Sequence, residues 1–333
     1  MGLTTVSKQD NDMPEDKKLS SGYSVIRGNM VKIDNYANVK NYAYKLGNQK
    51  RTDSREKRLV ELNYRFVNEI DIFHSFEDSE EDVYEYDEYP QGLCMTEEYV
   101  FISSYSGAYG GLGKVKVYDK ISGEHLLSLG MDENSHLGGL TYDGKHLWVC
   151  NSSKMMLEKI SYTFVKQMIE ENKGQMIDVR NLMDGYRVNN IPSCVTFYDG
   201  KLWVATHSIW TNSIMINYTF REKDDVLMAE DTMRIPPKVQ GVAFAEDGEV
   251  YMSTSYGRKK SSYIKKYHSV YSMIDDLGDY TKQIELPPCS EEIVWEEDKL
   301  YVLFESAGRK YMEGMDGKGK SSMPLDKILV IQK

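Results

Sequence analysis

The chain has 333 residues, 41% of them hydrophobic and 11% aromatic, with 25 Tyr, enough apolar surface for a sizeable core. A formal net charge of −11 argues against a nucleic-acid or anionic-membrane surface, because either needs a basic stripe that displaces counterions from phosphates. No run approaches the roughly eighteen apolar residues of a spanning helix, and the short cluster Arg258, Lys259, Lys260 reads as solvated loop charge.

In chain order, residues 1–20 are polar and read as a disordered tail or linker. They carry no apolar leader core, and a cytoplasmic reading and an exported one with its leader removed both stay open. An N-terminal extension follows over 21–66. The spacing of Tyr36, Val39, Tyr42 and Ala43 predicts a helix over 35–45, ending at Gly47, and a charged loop is expected over 51–57. From residue 67 onward the chain reads as one repeating body.

The repeat is a hairpin that occurs five times: QGLCMTEEYVFISS from Gln91, GGLTYDGKHLWVCN from Gly138, SCVTFYDGKLWVAT from Ser193, QGVAFAEDGEVYMST from Gln240 and EEIVWEEDKLYVLFE from Glu291. Each copy has a small residue or its stand-in (Gly92, Gly139, Cys194, Gly241, Glu292), an alternating apolar run, a tight acidic turn and a second apolar run. A period of about 50 residues is that of a four-stranded blade. The predicted fold is all-β: a five-bladed β-propeller with short helical insertions, closed by an N-terminal strand. Its alternative has six blades, with residues 22–66 as a degenerate blade. The terminal run KILVIQK lacks an outer neighbour, and residues 69–76 are expected to supply it and so remove an open sheet edge. Helices are expected near 161–174 and 268–278, capped by Ser161 and Ser269 with Gly174 and Gly278 past their ends. Cys94, Cys150, Cys194 and Cys289 fall in four blades without CxxC spacing, and read as buried free thiols.

In a propeller the tight hairpins share one face, and the loops that start each inner strand share the other with those that leave each second strand. The hairpins here are short and alike, so the varied loops carry the site. That face brings Glu305, Glu291, His207 and His136 together as candidate catalytic groups, with Gln91, Tyr105, Asn151, Ser193, Gln240 and Tyr256 as candidate ligand contacts. Carboxylates crowded into a narrow ring pair, hold a cation or acquire raised pKa values, and imidazole titrates near neutrality. Glu292 is expected to point into its blade or to solvent. There is no HExxH, EF-hand loop or repeated DxD, so no cofactor is expected and a channel Ca²⁺ is placed by symmetry alone. GAYGGLG follows a strand without opening a helix, unlike a phosphate loop.

The stretch PQGL, ISSYSGAYGGLGKVKVYDKISGEHLLSL and HLGGLTYDGKHLWV resembles YncE-like and NHL-like bacterial propellers, and more narrowly the five-bladed glutaminyl cyclotransferases. Gln91, Gly92, Leu93, Gly107, Tyr109, Gly110 and the turn over 122–124 carry the match across about 50 residues. The resemblance implies a propeller acting on an acyl group. Ser104 stands where that family has the acid of its ESTG turn and Gly138 where it has the acid of EGL, while an ESAG occurs at 305–308 in the fifth blade. Two functions follow: a monomeric propeller binding a small polar molecule, a sugar or a peptide end in its funnel, or an enzyme there, performing acyl transfer, hydrolysis or elimination. A third site, the long loop over 309–323, is open to a protein partner.

Overall fold

The computed structural model describes residues 63–73, 87–133 and 135–332; the tail, the helix expected over 35–45 and the loop over 51–57 lie outside them. Among the described residues five sheets stand in a ring, antiparallel except for one added outer strand. Their inner strands are β2 (Glu88–Met95), β6 (Leu140–Tyr142), β11 (Cys194–Tyr198), β15 (Val239–Phe244) and β19 (Ser290–Glu296). Each packs on the next, and β19 returns to β2. The architecture is the five-bladed β-propeller expected from the hairpin repeat.

Blade five consists of β19, β20 (Lys299–Phe304), β21 (Ile328–Gln332) and β1 (Asn63–Val67), with β1 antiparallel to β21. The N-terminal side of the chain closes the ring, but through 63–67 and not through 69–76. The described part of that segment is no strand: Asp71 Oδ1 accepts from the Phe73 N–H at 3.0 Å, an Asx turn that breaks extended backbone. Ile70, Ile72 and Phe73 instead wedge between blades five and one, while Phe66 of β1 packs between blades four and five.

Five buried clusters lie one at each blade-to-blade interface, and a sixth, small one gathers Tyr89, Cys289 and Tyr311. Alternating side chains of each sheet face its two neighbours, so the ring is held by apolar burial between blades, each large side chain contributing about 1.5–3 kcal/mol. Asp199 and Gly200 of the third hairpin have φ of 51° and 73°, the pair of positive values that a type I′ turn requires and that matches the twist of its strands.

The helical insertions are α1 (Tyr162–Glu171) and α2 (Val270–Asp275). Ser269 closes a capping box with Ser272, whereas Ser161 holds the N-cap position without a side-chain bond. After α1 the chain adds β9 (Gln175–Asp178) to the outside of blade one, parallel to β5 (His125–Gly130), before it returns to blade two. A further short helix, α3 (Arg309–Glu313), follows blade five's second strand. All four thiols are free and buried, and burial pushes each up. None is expected to react with a disulfide reagent in the native protein and all four in denaturant; a thiol reacting within seconds under native conditions contradicts that packing.

Candidate functional site

The inner strands of blades one, four and five are each interrupted at the funnel mouth. In β2 the pairing passes from Pro90 to Gly92, in β15 from Val239 to Gly241, and in β19 from Ser290 to Ile293. Gln91, Gln240 and Glu291, with Glu292 beside it, are therefore bulge residues. A bulge leaves its extra residue outside the ladder and re-aims its side chain, which here sends two amides and a carboxyl into one cavity.

That cavity has a volume of about 380 Å³ and is lined by Gln91, Tyr105, His136, Ser193, His207, Gln240, Glu291, Glu305, Lys310 and Tyr311, among others. At its floor Glu291 and Glu305 hydrogen-bond to each other. Gln91 Nε2 donates to Glu305 Oε2 at 2.8 Å, Gln240 Nε2 donates to Glu291 Oε1 at 2.9 Å, and the Tyr311 hydroxyl donates to Glu305 Oε1. Burial, then the charge of Glu305, holds Glu291 well above the usual carboxylate range. Burial also raises Glu305, but only to about 6, because donation from Tyr311, Glu291 and Gln91 and the nearby Arg258 favour its anion. The asymmetry of donors sets the assignment: near neutral pH the pair carries one proton, on Glu291, and one charge, on Glu305.

Two imidazoles line the same cavity. His207 Nδ1 lies 3.0 Å from the Val239 carbonyl, which only accepts, so Nδ1 carries the proton and Nε2 the lone pair. The His136 ring meets Tyr105 edge-on at 4.4 Å. Burial lowers both, so both stay neutral near pH 7. Ser193 Oγ accepts the His207 backbone N–H at 2.9 Å.

Two residues expected in the site are elsewhere. Asn151 is buried beside the cavity, where it donates to Asp132 at 3.2 Å and Glu158 at 2.9 Å and organises its own loop. Tyr256 stands on the outer rim, beside Trp210 and with Lys238 Nζ 5.4 Å from its ring. Arg258 differs from the solvated charge expected of its cluster: it is 7% exposed, donates to the carbonyls of Lys310 at 2.9 Å and Gly319 at 2.6 Å, pairs with Asp316 and covers the Tyr311 ring. It pins the 309–320 segment against the funnel, so Lys310 and Tyr311 form part of the wall. The sequence marks that segment only as a long loop. The signal was its position, directly after a second-strand exit on the funnel face.

Glu292 also departs from expectation. It points neither to solvent nor into its blade but across the axis, 2% exposed, with Oε1 accepting from Val242 N–H at 3.3 Å and Ile293 N–H at 3.4 Å. A Cβ on Gly139 or Gly241 would stand 2.5 Å or 2.7 Å from its carboxyl oxygens, which explains the small residues of those copies. Glu292 lines a second cavity of about 150 Å³ on the hairpin side. Burial raises its pKa well above the ordinary value of 4.5, against the backbone N–H groups of Ile293, Val242 and Val195, which favour its anion. Folded Glu292 is therefore neutral at pH values where unfolded Glu292 is ionised, and the stability it contributes is full below pH 4.5 and declines as pH rises toward its folded pKa. Glu292→Gln is expected to be near neutral at pH 4.5 and to raise stability at pH 8, by about 1.4 kcal/mol for each unit of displacement removed. Denaturant unfolding at the two pH values checks this, and a loss at pH 8 contradicts it.

Among the described residues no three His, Cys, Asp or Glu side chains converge as a metal cluster, and no helix is long and apolar enough to cross a membrane. No family model matches the chain, and no curated protein is similar to it. Among solved structures it is similar to the PQQ-bound aldose sugar dehydrogenase of Streptomyces coelicolor (10% identity, 73% of this chain and 94% of that one, TM-score 0.46) and to Kuenenia stuttgartiensis hydrazine synthase (13% identity, 69% and 58%, TM-score 0.39). The nidogen/laminin complex gives 10% identity over 66% and 73%, with a TM-score of 0.41. The chain spans less than two thirds of the hydrazine synthase chain, and no family or activity follows from likenesses at this level. The class defined by fold and site together is a five-bladed β-propeller with a polar cavity at its funnel mouth.

Proposed function

We propose that the funnel is an acid–base catalytic site for a small polar substrate, with Glu291 as the acid and Glu305 as the base. The observation that carries this reading is the buried pair of adjacent carboxyls, held by Gln91, Gln240 and Tyr311, that lines an open cavity. Two titratable groups whose surroundings push their pKa values apart divide the roles of acid and base at neutral pH. Gln91 and Gln240 orient the pair, and His207 Nε2 offers a second acceptor beside it. The reaction class that suits this set is cleavage or transfer at a polar bond: hydrolysis, elimination or the acyl transfer implied by the resemblance to glutaminyl cyclotransferases. No step needs a metal, and a Ca²⁺ in the channel stays an untied expectation.

The test is depletion of a component from a defined mixture of small amides, esters, glycosides and hydroxy acids. Wild-type protein is expected to consume at least one that Glu305→Gln binds but leaves intact. Equal consumption by both proteins refutes the assignment. A second reading, binding without turnover, is favoured by one observation: Gln91, Gln240 and Tyr311 already satisfy the pair, which clasps blades one, four and five together. Under that reading ligands bind and none is altered.

A further inference from the structure

Lys310 is the cation among the residues lining the funnel cavity. Its place is fixed from three sides. Its backbone N–H donates to the Tyr89 hydroxyl at 3.2 Å, its carbonyl accepts from Arg258 at 2.9 Å, and its Nζ donates to the Tyr105 hydroxyl. The ammonium sits within a ring of tyrosines, 4.2 Å from the Tyr89 centroid and 4.6 Å from those of Tyr105 and Tyr311. Tyr89 and Tyr105 stack on each other at 4.9 Å, and Tyr311 meets Tyr89 edge-on at 5.9 Å, so the ring is itself packed.

The carboxylates that act on Lys310 are committed elsewhere. Asp87 accepts the Tyr89 hydroxyl at 2.8 Å and Asp316 pairs with Arg258, while Lys318 adds a repulsive charge. Among the described residues Lys310 forms no ion pair. Aromatic faces attract a cation but do not neutralise it. A held, half-buried ammonium that faces an open cavity with no carboxylate paired to it, the cavity anion, Glu305, being taken up by Tyr311 and Gln91, is an incomplete ion pair, and its natural complement is an anionic oxygen group on the ligand.

We propose that Lys310 is the anion subsite of the funnel, so that the ligand is a small acid whose carboxylate or phosphate rests on Lys310 while its reacting polar group lies over Glu291 and Glu305. This rests on the reading of the funnel as a small-molecule site and names the class of molecule it takes. The other groups facing the amine are Tyr89, Tyr105, Tyr311, Asp87, Asp316, Lys318, Arg258 and, behind Tyr105, His136. Burial pulls Lys310 down to about 8, and an anion seated on it reverses that shift, so binding takes up a proton above pH 8 and weakens as the amine deprotonates.

The experiment uses acetate, its uncharged isostere acetamide, and inorganic phosphate, all small enough to enter whatever the rest of the ligand is. The full chain is labelled at lysine Cε, and Lys310 is titrated by NMR at constant ionic strength with chloride as the reference anion. Acetate, phosphate or both are expected to raise the Lys310 midpoint saturably by about one unit or more, with acetamide leaving it unchanged. Preference for acetate assigns a carboxylate and preference for phosphate a phosphorylated ligand. Lys310→Met is expected to abolish anion binding, measured by the funnel resonances of His136 and His207, and Lys310→Arg to retain it. The proposal is overturned if neither anion moves Lys310 beyond acetamide, or if Lys310→Met binds both as wild type does. Acetamide perturbing His207 while neither anion gains over it refutes the subsite and leaves the small-molecule site standing. Silence of the whole funnel toward every probe sinks both.

Discussion

Glu305→Gln is expected to lower turnover by about 10²- to 10⁴-fold, the usual worth of one positioned proton-transfer group, and to remove the acid limb of the pH profile. In the wild-type protein kcat/KM is expected to rise through a midpoint of about 6 as Glu305 ionises, because the base works only as its anion. An alkaline limb follows at higher pH, when Glu291 loses the proton it must donate. The variants separate the two roles. Glu305→Gln turns one of the oxygens that accept from Gln91, Tyr311 and Glu291 into an amide donor and has no base; Glu291→Gln keeps the acid limb, since the Gln amide still donates to Glu305, and loses the alkaline one. Rate profiles of both variants against pH check the assignment. Activity in Glu305→Gln within a few-fold of wild type, or an acid limb that survives it, refutes Glu305 as the base.

Arg258→Ala is expected to cost about 3 kcal/mol of stability and to open the cavity on its Lys310 side. Removing one member of a buried charged network strands the others: the carbonyls of Lys310 and Gly319 lose their donor, Asp316 loses its cation and the Tyr311 ring loses its cover. Asp316 is one third exposed, so part of its loss is made up by water, which keeps the cost at the lower end of the range for such networks. Because Tyr311 donates to Glu305, the damage reaches the carboxyl pair, and the Glu305 midpoint is expected to rise above about 6 as that donor is lost. Hydrogen exchange reads the local part of the effect: amides over 309–321 are expected to lose protection in Arg258→Ala while the β20 amides keep theirs. Unchanged protection there would show that the segment is held by its apolar residues, Tyr311 and Met312, and not by the guanidinium.

The ring of five blades was legible because it depends on periodic features. Alternating apolar residues and an acidic tight turn recur in each hairpin, with a small residue at one position in all but the fifth, where Glu292 stands, and each feature constrains backbone within a few residues of itself. The same periodicity indicated which face held the varied loops, and Glu291, Glu305, Gln91, Gln240, His136, His207, Ser193 and Tyr105 do line one cavity. The closing strand was misplaced by six residues because EIDIF and NYRFV are both apolar and extended in pattern. An Asx turn at Asp71 and the packing of Ile70, Ile72 and Phe73 between blades decide against the first.

The repeating hairpin, a ring of five blades in preference to six, the orientation of the hairpins and the chemical types gathered at the funnel were in the sequence, since these follow from local pattern repeated around a ring. Only the tertiary structure decided which carboxyl is neutral and which charged, that Glu292 crosses the axis, and that Arg258 draws Lys310 and Tyr311 into the wall. Those outcomes depend on burial and on partners as far apart as Gln91 and Glu305 in the chain, and the free energy of a buried charge is set by what surrounds it in space, whatever its sequence neighbours are.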